Sequence, residues 1–196
     1  VYMRIGYIGF EQSWMDKIRG VSPEMKLVDL SEGVEVILEE EGELADETGH
    51  HHGHSHHGPD PHIWMSAINA GIIASNIHEE LKLLLPAEKE FLQARYEQFR
   101  LYLDSLHTGI GDQLESLENR SFMIYHPALT YYARDYRLEQ LPLEIEGKSP
   151  SPAHLKEMTD LARVKHISNI LIQSQFDRKN AEILARETGS EIIQFD

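Results

Sequence analysis

Histidine is the residue type that decides which chemistry this chain can perform. The chain has 12 histidines, and six of them fall within the stretch 50–57. A seventh, His62, follows in the segment Asp60-Pro61-His62-Ile63-Trp64. The six clustered residues are His50, His51, His52, His54, His56 and His57. Imidazole is a common metal ligand, so the two histidine settings together predict metal binding.

The two histidine settings predict different roles. The tract at 50–57 is glycine-spaced, follows an acidic segment and contains no apolar residue, so we expect a mobile loop over 39–59 that binds metal weakly. Its internal and irregular placement argues against an expression tag. His62 lies between Pro61 and Trp64 directly before a predicted helix, so we expect its imidazole to be fixed. We therefore predict that the loop collects metal and that His62 holds it.

Composition restricts which metal ligands and which binding partners are possible. There is no cysteine, so imidazole and carboxylate are the only strong metal ligands that the chain offers. A formal net charge of −15, from 33 acidic and 18 basic residues, argues against nucleic-acid binding and suits cations. No apolar run approaches the roughly 20 residues of a membrane span, and none opens the chain as a signal peptide would. The first residues resemble an internal strand and the last residues the end of one, so we expect a fragment lacking both ends.

The apolar periodicity predicts an α/β protein. Alternating residues predict strands near 1–10 and 25–30, with a short helical turn over 14–18 between them. Three- and four-residue spacing predicts a helix over 66–85 and a long helix from 87 to about 117, broken or bent near Gly109 and Gly111 because glycine weakens helices. After residue 120, strands at 121–125, 139–145, 169–172 and 191–195 alternate with helices over 128–136, 151–164 and 177–188. This alternation predicts parallel βα units.

We therefore predict two lobes with parallel sheets, joined by a long helix, and a metal site in the cleft between the lobes. Residues 1–86 form the first lobe, which carries the histidine-rich loop at 39–59. Residues 87–118 form the linking helix, and residues 119–196 form the second lobe.

The ends of the predicted strands supply further ligands. Ligands bind at the carboxyl edge of open parallel sheets, and both His126 and Asp196 directly follow a strand there. With His62 from the first lobe they form a set that suits Zn²⁺ better than Mn²⁺ or Fe²⁺, which prefer more oxygen ligands. Each residue taken alone could instead have a structural role. The remaining helical histidines, His78, His107 and His154, are interpreted as solvated surface residues, and His166 is expected in a turn before a strand.

Four segments carry a resemblance to a known family. The segment at 60–64, with its histidine-rich loop, is similar to one in the solute-binding proteins of zinc and manganese ABC transporters. So are Tyr125-His126-Pro127-Ala128 with its continuation to Tyr136, the segment Glu144–Ser151, and Gln175-Phe176 before the Asp177 helix. The resemblance covers essentially the whole chain in order, and it is strongest to the zinc-uptake branch of these cluster A-I metal-binding lipoproteins.

The resemblance implies two α/β lobes joined by a long helix, with one ion held in the cleft between them. It maps ligand positions onto His62, His126 and Asp196, and histidine rather than glutamate at 126 favours zinc. The family's first ligand histidine lies upstream of this chain, and Gln173 stands where many members carry a glutamate.

We interpret the chain as an extracytoplasmic zinc-binding protein, not an enzyme, that captures Zn²⁺ and delivers it to an ABC permease as a monomer. It would lie in the periplasm or on the outer face of the membrane. One alternative is a manganese- or iron-binding homologue, or a metal-dependent adhesin on the same scaffold. Another is a zinc hydrolase, for which Glu144 and Glu146 are the nearby candidate bases.

Overall fold

The chain divides into two compact units, Val1–Ile110 and Gly111–Asp196. The computed structural model describes residues 1–38, 58–145 and 147–195. Residues 39–57, which make up most of the predicted loop over 39–59 and contain its six histidines, therefore lie outside the described residues, as do Glu146 and the proposed ligand Asp196.

The first unit begins with two parallel strands joined by a helix. Strand β1, Tyr2–Arg4, pairs in parallel with β2, Leu27–Asp29, and helix α1, Gly9–Val21, connects them. The prediction of only a short helical turn over 14–18 was wrong. The helix starts earlier because Glu11, which is buried, accepts backbone N–H groups of Ile5 at 3.1 Å and Gly6 at 2.7 Å. This carboxylate satisfies donors at the strand–helix turn, where Gly6 adopts a φ of 94°.

A single 3-10 turn, Ile63–Met65, separates the segment at 60–62 from helix α2, Ala67–Leu84. Ser66 caps α2, since its side chain accepts the backbone N–H of Asn69 at 3.1 Å. The predicted helix over 66–85 is confirmed. Ile63 is fully buried, so the residue that follows His62 anchors this segment to the core of the unit.

Helix α3, Lys89–Glu115, runs 27 residues without interruption, and the division between the two units falls within it. The prediction of a long helix is confirmed. The helix is not broken at Gly109 and Gly111, so the expectation of a break there was wrong. A glycine costs about 1 kcal/mol relative to alanine in a helix, which is not enough to break one flanked by regular turns. None of the helices that the structure describes combines the length and apolar character that crossing a membrane would need.

The second unit is built on a four-stranded parallel sheet. Its strands are β3 Ser121–Ile124, β4 Glu139–Pro142, β5 Asn169–Gln173 and β6 Glu191–Phe195, in the order β4-β3-β5-β6. Helices α4 Thr130–Asp135, α5 Pro152–Val164 and α6 Lys179–Thr188 follow the first three strands in chain order. The core includes six fully buried side chains: Met123, Leu143, Ile170, Ile172, Ala181 and Leu184. The predicted α/β alternation is confirmed.

The local signals that define these helices are confirmed as well. The side chain of Ser151 caps α5 by accepting the backbone N–H of His154 at 3.2 Å, with Pro152 in the first turn. Gly189 ends α6 in the left-handed conformation, with a φ of 73°. Arg120 closes the end of α3, because its guanidinium donates to the carbonyls of Leu114 and Tyr136, both at 3.0 Å.

Candidate metal centre

His62 is held in the first unit by a carboxylate two residues earlier in the chain. Its Nδ1 lies 2.8 Å from Oδ1 of Asp60, which also accepts the backbone N–H of His62 at 2.7 Å. Asp60 is itself only 3% exposed, and its backbone N–H donates to Ile37 at 2.8 Å. Trp64 meets the imidazole edge-on, with ring centroids 5.5 Å apart. The side chain of His62 is 18% exposed, so the imidazole is oriented yet still reachable from solvent.

His126 has a corresponding environment in the second unit. Its Nδ1 lies 3.2 Å from Oε2 of Glu144, and that glutamate is 7% exposed. The ring of Phe176 stacks on the imidazole, with centroids 5.3 Å apart and an angle of 27° between the planes. The amide of Gln173 donates to the carbonyl of His126 at 3.0 Å. The His126 side chain is 29% exposed, so this ring is also oriented and partly accessible.

The carboxylate at Nδ1 determines which nitrogen can bind a metal. A carboxylate accepts hydrogen bonds, so it favours the tautomer in which Nδ1 carries the proton. Nε2 then carries the lone pair that a metal needs. Metal-ligating histidines commonly have this arrangement. His62 and His126 both have it.

Glu144 reaches His126 because of the sheet register. Strands β3 and β4 run parallel with Ile124 opposite Pro142, so His126 and Glu144 each lie two residues beyond this pair. The pairing continues into the loops, because the backbone N–H of Glu144 donates to Tyr125 at 2.9 Å. Glu144 was considered above only as a hydrolase base. Its contact with Nδ1 of His126 is that of an orienting group.

The carboxyl edge of this sheet gathers polar side chains at successive strand ends. His126 follows β3, Glu144 follows β4, and Gln173 is the last residue of β5. Asp196, which was predicted at the same edge, lies outside the described residues. Within residues 1–38, 58–145 and 147–195, no group of three or more histidine, aspartate or glutamate side chains lies close enough together to hold an ion. In the described residues His62 and His126 are therefore each paired with a separate carboxylate.

Of the histidines interpreted as solvated, His78 is buried and His154 is only partly exposed, so those two predictions were wrong. His78 is 6% exposed and stacks on Tyr96 with centroids 4.5 Å apart, and its Nε2 has no hydrogen-bond partner among the described residues. His154 has a side chain 12% exposed, and neither ring nitrogen has a hydrogen-bond partner in the same part of the chain. The apolar periodicity of α2 did not reveal the burial of His78, because that burial depends on the packing of α2 against α3. His166 lies in a turn before β5, as predicted, and it is exposed and has a left-handed backbone.

Sequence reasoning missed the orienting role of the two carboxylates. Asp60 could have been recognised, because an aspartate two residues before a histidine can form a local turn that accepts its backbone N–H. Glu144 could be found only through the strand pairing, since it lies 18 residues from His126. The stacking of Phe176 on His126 likewise depends on the adjacency of β3 and β5.

Known proteins resemble this chain over most or all of its length. The family model described as "ZnuA: Zinc-uptake complex component A periplasmic" matches residues 1–196. The zinc-binding lipoprotein AdcA of Streptococcus pneumoniae is 28% identical over 184 residues, which cover 91% of this chain and 36% of AdcA. This chain thus spans about a third of the length of that relative.

Solved structures give the same result. A crystal structure of ZnuA matches all of this chain at 32% identity with a TM-score of 0.87, and the match covers 71% of the ZnuA chain. A ZnuA deletion mutant with zinc bound matches all of it at 34% identity with a TM-score of 0.84, covering 70% of that chain. The resemblance seen in the motifs and the predicted fold class are thereby confirmed. The chain belongs to the ZnuA family of periplasmic zinc-uptake components.

Proposed function

We propose that this protein captures Zn²⁺ outside the cytoplasm and delivers it as a monomer to an ABC permease. His62 and His126 bind the ion through Nε2, and Asp196 supplies a carboxylate. The six histidines of the 50–57 tract act as an accessory, lower-affinity collector. The ion is cargo that is bound and released, so the role is binding and delivery and not catalysis.

The observation that carries this proposal is the pairing of each imidazole with a buried carboxylate at Nδ1. Asp60 lies 2.8 Å from His62, and Glu144 lies 3.2 Å from His126. Such pairs preorganise an imidazole for a metal, because they fix both the tautomer and the ring plane. The names of the matched relatives, which refer to zinc binding and zinc uptake, support zinc as the cargo.

The donor set supports zinc over manganese. Imidazole nitrogen suits Zn²⁺, whereas Mn²⁺ favours carboxylate, carbonyl and water oxygen. Neutral imidazoles leave the charge of the ion to be balanced by Asp196 and the carboxylates behind the rings. We therefore expect tight zinc binding and much weaker manganese binding.

The first experiment is a calorimetric titration of the full-length protein with Zn²⁺ and separately with Mn²⁺. We expect one tight zinc site that is lost in His62→Ala and in His126→Ala. If both residues bind the same ion, the double variant loses no more affinity than either single variant, because each single change already removes the site. His166→Asn is the matched control, since it removes an exposed imidazole and asparagine tolerates its left-handed backbone.

Deletion of residues 47–58 tests the accessory role of the tract. We expect the tight site to survive and only weaker binding to disappear. If deletion abolishes tight binding while both alanine variants retain it, the tract is the zinc site and the assignment of His62 and His126 fails. Delivery is tested by zinc-limited growth of cells that depend on this protein, with His126→Ala expected to fail.

A further inference from the structure

Gln173 is buried, and its side-chain amide makes only part of its possible hydrogen bonds with the described residues. It is the last residue of β5, and only 6% of its surface is exposed. Its Nε2 donates to the backbone carbonyl of His126 at 3.0 Å. Its Oε1 is buried and has no hydrogen-bond partner among the residues that the structure describes.

The orientation of the Gln173 amide follows from the hydrogen bond that its Nε2 donates to His126. Turning the amide over would place Oε1 against the carbonyl of His126, where two acceptors repel each other. Among the described residues the buried Oε1 therefore has no donor, and an unpaired buried oxygen costs stability. A methionine has a similar volume and no such atom, so it would avoid this cost at the same position. The stability of the sheet does not explain a glutamine here.

The contacts of Gln173 indicate that its role concerns His126. The side chain holds the carbonyl of His126, and the backbone carbonyl of Gln173 accepts the N–H of Phe176 at 3.2 Å. Phe176 is the residue whose ring stacks on the His126 imidazole. One residue thus contacts the backbone of the ligand histidine and also supports the ring packed against it.

We propose that Gln173 is a positioning residue of the zinc site. Its amide strengthens zinc binding and lowers the folding stability of the protein. The amide fixes the backbone at His126, so that the imidazole stays between the Glu144 carboxylate and the Phe176 ring with Nε2 directed for coordination. This inference rests on the proposed function, in which His126 is a zinc ligand. It makes a prediction that a structural role does not make: removing the amide lowers affinity without lowering stability.

The test compares Gln173→Met with Gln140→Met in the full-length protein. Gln140 is the matched control, because it lies on β4 of the same sheet and both ends of its amide are bonded. Its Oε1 accepts the N–H of Leu129 at 2.8 Å, and its Nε2 donates to Thr130 at 3.0 Å. Zinc affinity is measured by competition with a chromogenic chelator, and the melting temperature is measured on the metal-free protein so that zinc does not contribute to it.

We expect Gln173→Met to weaken zinc binding by about tenfold, or about 1.4 kcal/mol, while the metal-free melting temperature stays the same or rises. Gln140→Met is expected to lower the melting temperature and leave zinc affinity unchanged. The proposal is overturned if Gln173→Met leaves affinity unchanged, or if it lowers affinity and melting temperature together or prevents folding. His126→Ala, measured in parallel, separates two kinds of failure. If that variant keeps tight zinc binding, the proposed function itself fails, whereas if it loses binding and Gln173→Met does not, only the role of Gln173 fails.

Discussion

Replacing Glu144 with glutamine tests whether the carboxylate behind His126 prepares the imidazole for zinc. The substitution keeps the size of the side chain and removes one negative charge. In the native protein Oε2 of Glu144 lies 3.2 Å from Nδ1 of His126, and the glutamate side chain is 6% exposed, so water screens this pair weakly. A glutamine can present either an oxygen or an NH₂ group to Nδ1. If it donates, the proton moves to Nε2 and the ring can no longer coordinate through that atom.

The expected loss follows from the usual effect of such orienting groups. Their removal costs 10- to 100-fold in metal affinity, which corresponds to about 1.4–2.7 kcal/mol. We expect Glu144→Gln to fall in this range when zinc affinity is measured by chelator competition at neutral pH. The ¹⁵N chemical shifts of the His126 ring in the metal-free protein report the tautomer directly, and we expect a smaller population with the proton on Nδ1.

A matched control separates orientation from net charge. Glu139→Gln removes the same charge from the preceding strand, but Glu139 contacts Lys165 and Ser121 rather than His126. We expect Glu139→Gln to leave zinc affinity within about twofold of the native value, because exposed charges at a distance are screened. Equal losses in the two variants would mean that overall charge, and not the contact with Nδ1, accounts for the effect. An unchanged affinity in Glu144→Gln would refute the orienting role.

Two further predictions concern stability. His78→Phe should stabilise the first unit by about 1 kcal/mol in chemical denaturation, because it keeps the stacking on Tyr96 and removes a buried nitrogen that has no hydrogen-bond partner in the described part of the chain; a lower stability would show that the imidazole has a favourable role there. The Lys165 ammonium and the Ser121 hydroxyl donate to Glu139 and hold its pKa below the ordinary value of 4.5. A lowered folded-state pKa stabilises the native state above the unfolded pKa, and this contribution is lost as pH falls through the folded pKa. Glu139→Gln should therefore lower stability at pH 7 by less than about 1 kcal/mol, since the pair is partly exposed, and by less still at pH 3; a difference independent of pH would contradict this linkage.

The parts of the fold that depend on local signals could be predicted from the sequence. Ser151 with Pro152 marks the start of α5, and Gly189 marks the end of α6, because caps and left-handed residues act over a single turn. The start of α1 could not be predicted in this way. It depends on Glu11 reaching back to the backbone after β1, a tertiary contact that apolar periodicity does not encode.

The same distinction applies to the candidate site. His62 and His126 were selected as ligands from their positions before a helix and after a strand, and their roles as ligands stay predictions. Their surroundings could not be derived from positions alone. Burial of His78 against Tyr96 depends on how α2 packs on α3, so a helical histidine with no distinctive sequence context became a buried residue.

His62 and His126 are each paired with a carboxylate at Nδ1, but the two pairings depend on different parts of the fold. Asp60 and His62 are two residues apart, so their pairing needs only a local turn of the chain. Glu144 meets His126 only while β3 and β4 keep their parallel register, because the two residues lie 18 positions apart in the sequence. Closing that longer loop costs entropy that the sheet must offset. Partial unfolding at the β4 edge would therefore release the Glu144 carboxylate from His126 while the Asp60–His62 pair persists. On this argument the preparation of His126 for zinc is coupled to the folding of the second unit, whereas that of His62 is largely local.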